Sequence, residues 1–416
     1  MRLGAISTWY AYETVASFIG RLVFTVTAVY FVTRVHMSPF ELVLVGTVME
    51  LAVFSFEVPT GIVADVYSRR LSIVLGNVIM GAAFVLVAAV PAVWAILAGY
   101  AIWGLGWTFV SGAIDAWLAD EIGTERLAPV VLRGAQIGRA AMIAGTIASV
   151  ALALVDLRLP ILVGGLATIV LGAFFAVAMP ETGFRPLPRE ARSSLAHMAH
   201  TGRAGARLVR ARPTLLAILG IAAFAGMWSE SYDRLWQAHL IRDVGLPRIG
   251  DLDPVVWFGI LGVIAIVLTM AVAQPIGRRL EAASRETMAR TLFWLDVAVM
   301  GGALVFALAG QLWIALAGSY VLLVARNVAE PVFTTWLNRN IDESAVRATV
   351  ISITNQADAV GQWTGGPALG AIGSVFSIRA ALVAGAACMA PALALYGRAI
   401  RRHGRESELG RLLEPV

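Results

Sequence analysis

Long apolar runs separated by short polar breaks recur along almost the whole chain. Stretches holding the roughly 20 apolar residues that a spanning helix needs lie near 10–33, 40–64, 71–91, 94–119, 131–154, 159–179, 213–240, 255–277, 291–309, 312–337, 349–376 and 379–398. They are too long for barrel strands, which alternate over about ten residues, so helices are the predicted spanning element. The pattern predicts an all-α, multi-pass protein of the cell's inner (plasma) membrane with 12 transmembrane helices. The first run carries Glu13 and Arg21 and lacks a small-residue cleavage site, which predicts a retained span rather than a removed signal peptide.

The longest polar break divides the runs six and six. It predicts a six-helix bundle over 1–180, a basic linker over 181–212, a second bundle over 213–398 and a tail over 399–416. Arg203, Arg207 and Arg210 share one helical face, which leaves open a surface-lying amphipathic helix or a solvated basic linker. The halves echo each other. Trp117-Leu118 near the end of the fourth run matches Trp336-Leu337 in the tenth, and the glycine pair Gly138 and Gly145 in the fifth has a loose counterpart, at a wider spacing, in Gly361 and Gly370 in the eleventh. A six-helix repeat is a common construction in transporters.

Composition sharpens this picture. The 416 residues are 59% hydrophobic and only 14% charged, against the quarter expected of a soluble domain. The net charge of +5 would suit a nucleic-acid partner, but its distribution excludes one. With both termini cytoplasmic, most arginines fall inside, and the opposite side receives Arg34, Arg158, Arg242, Arg248 and Arg379, as the positive-inside bias requires. Cys388 is the single cysteine and the five histidines are scattered, so neither an intrachain disulfide nor a metal site is expected. Walker and Rossmann spacings are absent, which predicts no cofactor, no direct use of ATP and no enzyme activity.

Charges inside apolar runs are costly and functional by default. At about 1.5 Å per residue, Arg21 and Glu50 fall near mid-bilayer, while Glu13, Asp115 and Arg139 fall in the cytoplasmic third. Glu230 and Arg234 are four apart and able to pair, as are Arg326 and Glu330, with Asp358 at similar depth. Burial disfavours a charged carboxylate and a nearby Arg favours it, so Glu50 and Glu230 are the leading proton-coupling candidates, with Glu13, Asp115 and Asp358 as rivals. Trp228, Tyr232 and Trp236 recur at four-residue spacing, which predicts either a cavity wall for a flat or cationic substrate or an interfacial stripe; Asn355 and Gln356 are further pocket candidates.

Between the second and third runs stands Gly61-Ile62-Val63-Ala64-Asp65-Val66-Tyr67-Ser68-Arg69-Arg70. This resembles the signature loop of the major facilitator superfamily, with Ser68 where the family usually has Gly. Phe56-Glu57-Val58-Pro59-Thr60, Ser111-Gly112-Ala113-Ile114-Asp115-Ala116-Trp117 and Arg347-Ala348-Thr349 resemble its drug:proton antiporter branch, the tetracycline and macrolide exporters. Gly361, Gly365, Gly366, Pro367 and Gly370 resemble the antiporter glycine motif, but in the eleventh run rather than the fifth. The resemblance implies two pseudo-symmetric six-helix bundles and a cytoplasmic gate in which Gly61, Asp65, Arg69 and Arg70 meet Asp120 or Glu121. It implies a monomeric secondary transporter in the lipid bilayer, exporting a drug-like or metabolite molecule against protons by alternating access. The alternatives are a proton-coupled importer and a non-transporting receptor, which labelled-compound fluxes distinguish.

Overall fold

In a computed structural model, the chain is described except at 1–2, 187–206, 208, 211, 248–252, 281–282, 342–346 and 414–416; at 273–280, 348 and 402–413 the backbone alone is described. Arg203 of the basic face therefore lies outside the described residues.

The helices start where local chemistry predicts. α1 spans Ala5–Thr33. α2 (Pro39–Val66) opens with a capping box, Ser38 accepting from the Glu41 N–H and Glu41 accepting from the Ser38 N–H, with Pro39 in the first turn. α3 (Arg69–Ala89) is capped by Ser68. α4 (Val93–Ile122) and α5 (Thr124–Ala153) meet at the single residue Gly123, whose φ of 79° suits glycine. α5 thus starts earlier than its apolar run and holds Pro129. α6 is Leu159–Ala178, and α7, Pro213–His239, runs into a π-turn at Leu240–Val244. α8 (Pro254–Leu280), α9 (Arg285–Leu308), α10 (Leu312–Arg339) and α11 (Arg347–Val375) follow. The last apolar run breaks at Cys388, giving α12 (Ile378–Ala387) and α13 (Ala390–Leu413). Helix therefore continues through most of 399–416, which the sequence assigns to a tail.

Eleven spans among the described residues are long and apolar enough to cross a membrane, one of them α12 with the first half of α13. The exception is α11, whose length suffices but whose Asn355, Gln356, Asp358 and Gln362 make it too polar by composition. Exposed Ile147, Val170, Val177 and Val321 on other helices suit contact with lipid, which substitutes for the polar surface of a soluble fold.

The described chain forms two compact units: Met1–Ser193 with Pro247–Ile266, and Ser194–Leu246 with Val267–Val416. α8 is therefore divided between them. In unit 1, α1 packs on α5, and α3 on α4 and α6; in unit 2, α7 packs on α11, and α9 on α10, α12 and α13. These pairings recur six helices on, whereas α2 also packs extensively on α4 in unit 1 and α8 makes no comparable pairing with α10 among the described residues. Glycine permits both close pairs: a Cβ at Gly145 would strike the Phe18 carbonyl on α1, and one at Gly361 the Ala223 carbonyl on α7. Trp117 and Trp336 are both fully buried. The Trp117 indole donates to the Pro180 carbonyl at 2.7 Å, while that of Trp336 packs on Tyr396 and has no hydrogen-bond partner among the described residues.

Candidate functional site

Polar α11 has a structural counterpart. It helps line a cavity of about 430 Å³ inside unit 2, together with α7, α9, α10 and α13. Mid-helix charges converge there. Arg326 on α10 grips Asp233 on α7 through both carboxylate oxygens, at 2.7 and 3.0 Å, and lies 5.5 Å from the centre of the Trp228 ring. This planar fork is the strongest pairing geometry open to a carboxylate, and the ring face adds to it. Asp358 on α11 accepts from the Gln362 amide at 2.7 Å. Asp296 on α9 and Tyr396 on α13 share the cavity wall. Glu330 on α10 is exposed at the cavity wall and makes no ion pair among the described residues. The cavity volume is of the size that holds a small molecule.

A second ionic cluster lies at helix ends in unit 1. Arg69, at the start of α3, donates to Asp65 at the end of α2 and lies 3.5 Å from Asp120 near the end of α4. Glu181, just beyond α6, accepts from the Ser68 hydroxyl at 2.8 Å and from the Arg70 N–H at 2.9 Å, with the Arg70 side chain 4.0 Å away. Glu121 holds the next turn, accepting from the N–H groups of Thr182 and Gly183. Gly61 has open space where a side chain would be, so no close helix approach depends on it.

The family model of the Major Facilitator Superfamily matches residues 14–365 of this chain. The chain belongs to the major facilitator superfamily. It is therefore a multi-pass membrane protein and a secondary transporter, not an enzyme. It is similar to the uncharacterized MFS-type transporter YxaM of Bacillus subtilis (strain 168), at 23% identity over 362 residues, covering 85% of this chain and 86% of that one. Among solved structures it resembles nucleoside transporter NupG, with a TM-score of 0.73 at 12% identity, over 95% of this chain and 99% of that one. A bacterial homolog of the human lysosomal transporter Spinster, in an inward-facing and unoccupied conformation, has a TM-score of 0.76 at 15% identity, over 95% and 96%. Peptide transporter POT in complex with sulfate has a TM-score of 0.73 at 14% identity, over 95% and 94%. At these identities the likeness to the solved structures is one of superfamily fold.

Within this superfamily member the expected site residues separate. Asp358, Arg326, Glu330, Trp228 and Asn355 line the unit 2 cavity. The aromatic stripe of α7 divides. Tyr232 turns into the core, bonds the Ser319 hydroxyl at 2.6 Å and packs edge-on to Phe306, and Trp236 is outside the cavity wall. Gln356 is also outside it, and Gln362, one to two turns on, takes the place expected of it. The i,i+4 pair expected of Arg326 and Glu330 does not form, because Asp233 offers Arg326 a bidentate grip across helices. The expected Glu230–Arg234 pair does form, at 3.4 Å, with Glu230 almost fully buried and off the cavity wall. In unit 1, Glu13 on α1 and Asp115 on α4 lie near enough to interact, Glu13 beside Gly138 of α5. Arg21, Glu50 and Arg139 are half-buried on α1, α2 and α5. Asp296 and Glu181 were passed over in the sequence reading. Asp296 is a lone acid in an apolar run, itself a sufficient signal. Glu181 follows Pro180 where the last span of unit 1 ends, and reads as the opening of a linker.

Proposed function

We propose that this transporter exports a small organic molecule in exchange for protons. The observation that carries this reading is a cavity in unit 2 whose wall, among the described residues, holds four carboxylates, Asp233, Asp296, Glu330 and Asp358, against the one guanidinium of Arg326. Carboxylates that lose a partner when helices shift can take up a proton, and an uncompensated charge favours a different helix arrangement. In this reading Asp358 is the main coupling carboxylate, because it lines the cavity and its partner, Gln362, is neutral. Glu50, Glu230, Glu13 and Asp115 then serve helix packing or a second proton step. The chain works as a monomer of two six-helix bundles with both termini in the cytoplasm of an inner (plasma) membrane protein. The cluster of Asp65, Arg69, Arg70, Asp120 and Glu181 closes the cytoplasmic side in one of two alternating states. The tetracycline and macrolide branch is supported by sequence resemblance alone.

An inward proton carries about 2.3 kcal/mol per 100 mV of membrane potential, enough for a gradient of a few hundred-fold at a typical bacterial driving force. Proteoliposomes with an imposed pH gradient test the reading, using counterflow of labelled drugs and metabolites. Gradient-driven accumulation is expected in wild type and lost in Asp358→Asn, which keeps substrate exchange without a gradient. Accumulation that survives full collapse of all ion gradients contradicts it. Uptake driven by inward protons would reverse the direction and leave coupling intact.

A further inference from the structure

The unit 2 cavity has an electrostatic imbalance that its own residues do not correct. Among the described residues Arg326 is the only basic side chain on the wall, and both arms of its fork are spent on Asp233. Of the remaining carboxylates, Asp358 accepts from the neutral Gln362 amide, and Asp296 and Tyr396 share the cavity wall. Glu330 has no ion-pair partner among the described residues, and Phe333 stands one turn further along α10 on the same wall. Negative charge beside aromatic faces attracts cations and repels anions. Among the described wall residues an incoming anion would find no free guanidinium, and this exclusion is as much a part of specificity as attraction.

We infer that this cavity takes an organic cation, bound between α9, α10 and α11 with its charge against Glu330 and Asp296 and its apolar body against Phe333 and Tyr396. The inference rests on the transport reading above and names its substrate class. The cation and protons compete for the same carboxylates. The charged and titratable groups facing that position are Asp233 on α7, Asp296 on α9, Arg326 and Glu330 on α10, Asp358 on α11 and Tyr396 on α13. Acidification therefore expels the cation, and cation binding releases protons; no covalent step is involved.

Two probes of nearly equal size and opposite charge separate the possibilities: tetraphenylphosphonium and tetraphenylborate. Titration calorimetry on the purified full chain is expected to show saturable binding of the phosphonium, weaker at lower pH. Each of Glu330→Gln and Asp296→Asn should weaken it about tenfold or more, the scale of a lost charge-assisted contact, while Glu330→Asp retains most of it. Tetraphenylborate should show only partition into detergent, equal in all variants and in empty micelles. Size-exclusion profiles and thermal melts establish that the variants are folded. Phosphonium affinity unchanged in both neutralised variants, or saturable borate binding that the phosphonium displaces, overturns the inference. Proton release measured in the same titration keeps the two readings apart. Saturable, carboxylate-dependent phosphonium binding that releases no protons keeps the cation site but overturns its competition with protons, and with it the proton coupling. Borate binding with proton exchange overturns the cation site alone.

Discussion

Unit 1 gathers ionic contacts where three helix ends and a following turn meet, whereas unit 2 gathers them mid-helix around a cavity. Both units pair their first helix with their fifth and their third with their fourth, so these shared pairings do not dictate where charge goes. The helix-end cluster is assembled from short segments whose backbone groups need partners: Ser68 caps α3, and Glu181 satisfies the hydroxyl of that cap and the next N–H. The cavity charges have no such structural task. Mid-helix backbone groups are already bonded, and apolar side chains would pack α7 against α10 at lower desolvation cost. Charges that local structure does not require are the ones the proposed transport role has to explain.

The contrast breaks most severely at the deepest pair. Glu230 is almost fully buried and its cation partner is Arg234, 3.4 Å away, so Arg234→Ala leaves a carboxylate with its closest guanidinium removed. The expected loss is about 3–5 kcal/mol, the cost of stranding a buried charge, read as a large fall in Tm of the purified protein. Glu230→Gln with Arg234→Ala should recover much of it, because no charge is left stranded. A small loss in the single variant, or no recovery in the double, would show that the pair is not the structural element the geometry describes.

The helix-end cluster of unit 1 should respond in the opposite way. Asp65, Arg69 and Asp120 are partly solvent-exposed, so Asp65→Asn or Arg69→Ala costs about 1 kcal/mol or less of stability. Transport should nevertheless fall by about tenfold or more, the scale of losing one charge-assisted interaction in a gating state. Glu181→Gln should join this class, since Glu181 receives the Ser68 hydroxyl and the Arg70 N–H. Flux in proteoliposomes against Tm in detergent is the check. A stability loss matching the loss of flux would reduce the cluster to a structural brace.

These two regions also show what the sequence made legible. The loop motif names Asp65, Arg69 and Arg70 because its spacing is local, and Asp120 follows because α4 ends beside it. The cavity is a tertiary object. From spacing alone Arg326 belongs with Glu330, one turn away; its partner is Asp233, 93 residues distant on α7. The stripe of Trp228, Tyr232 and Trp236 is correct as helix periodicity, yet only Trp228 faces the cavity, because Ser319 and Phe306 draw Tyr232 into the α7–α10–α9 core. Periodicity gives the face of a helix and says nothing of its neighbour. Helix number, by contrast, was readable almost throughout, since every run long enough to span forms a helix. Where the apolar criterion falls short, at α11, the polar residues responsible are the ones that line the cavity.

The smallest expected difference lies in the turns between α5 and α6 and between α11 and α12. Asp156 in the first turn accepts from the Arg158 backbone N–H at 2.8 Å and from its guanidinium at 3.1 and 3.2 Å. These bonds, with the nearby charge of Arg34 as a lesser contribution, hold its carboxyl below the usual carboxylate range. Arg379, in the corresponding place of unit 2, donates instead to the carbonyl oxygens of Asp243 and Ala309, at 3.5 and 3.3 Å. Carbonyls do not titrate and neither does the guanidinium, so this contact is independent of pH. For Asp156 the sign runs the other way. A depressed folded-state pKa means that its contribution is fully present above the unfolded value of about 3.9 and is lost as pH falls through the folded value. Asp156→Asn should therefore lower Tm slightly at pH 7, and the gap to wild type should close as pH falls toward the depressed value. Arg379→Ala should show a constant offset over the same range. Both turns are exposed and solvent screens the ion pair, so each change in Tm should be small. Thermal melts from pH 7 downward decide it. A wild-type-to-Asp156→Asn gap that widens on acidification would contradict the assignment of that carboxylate as the titrating group of the turn.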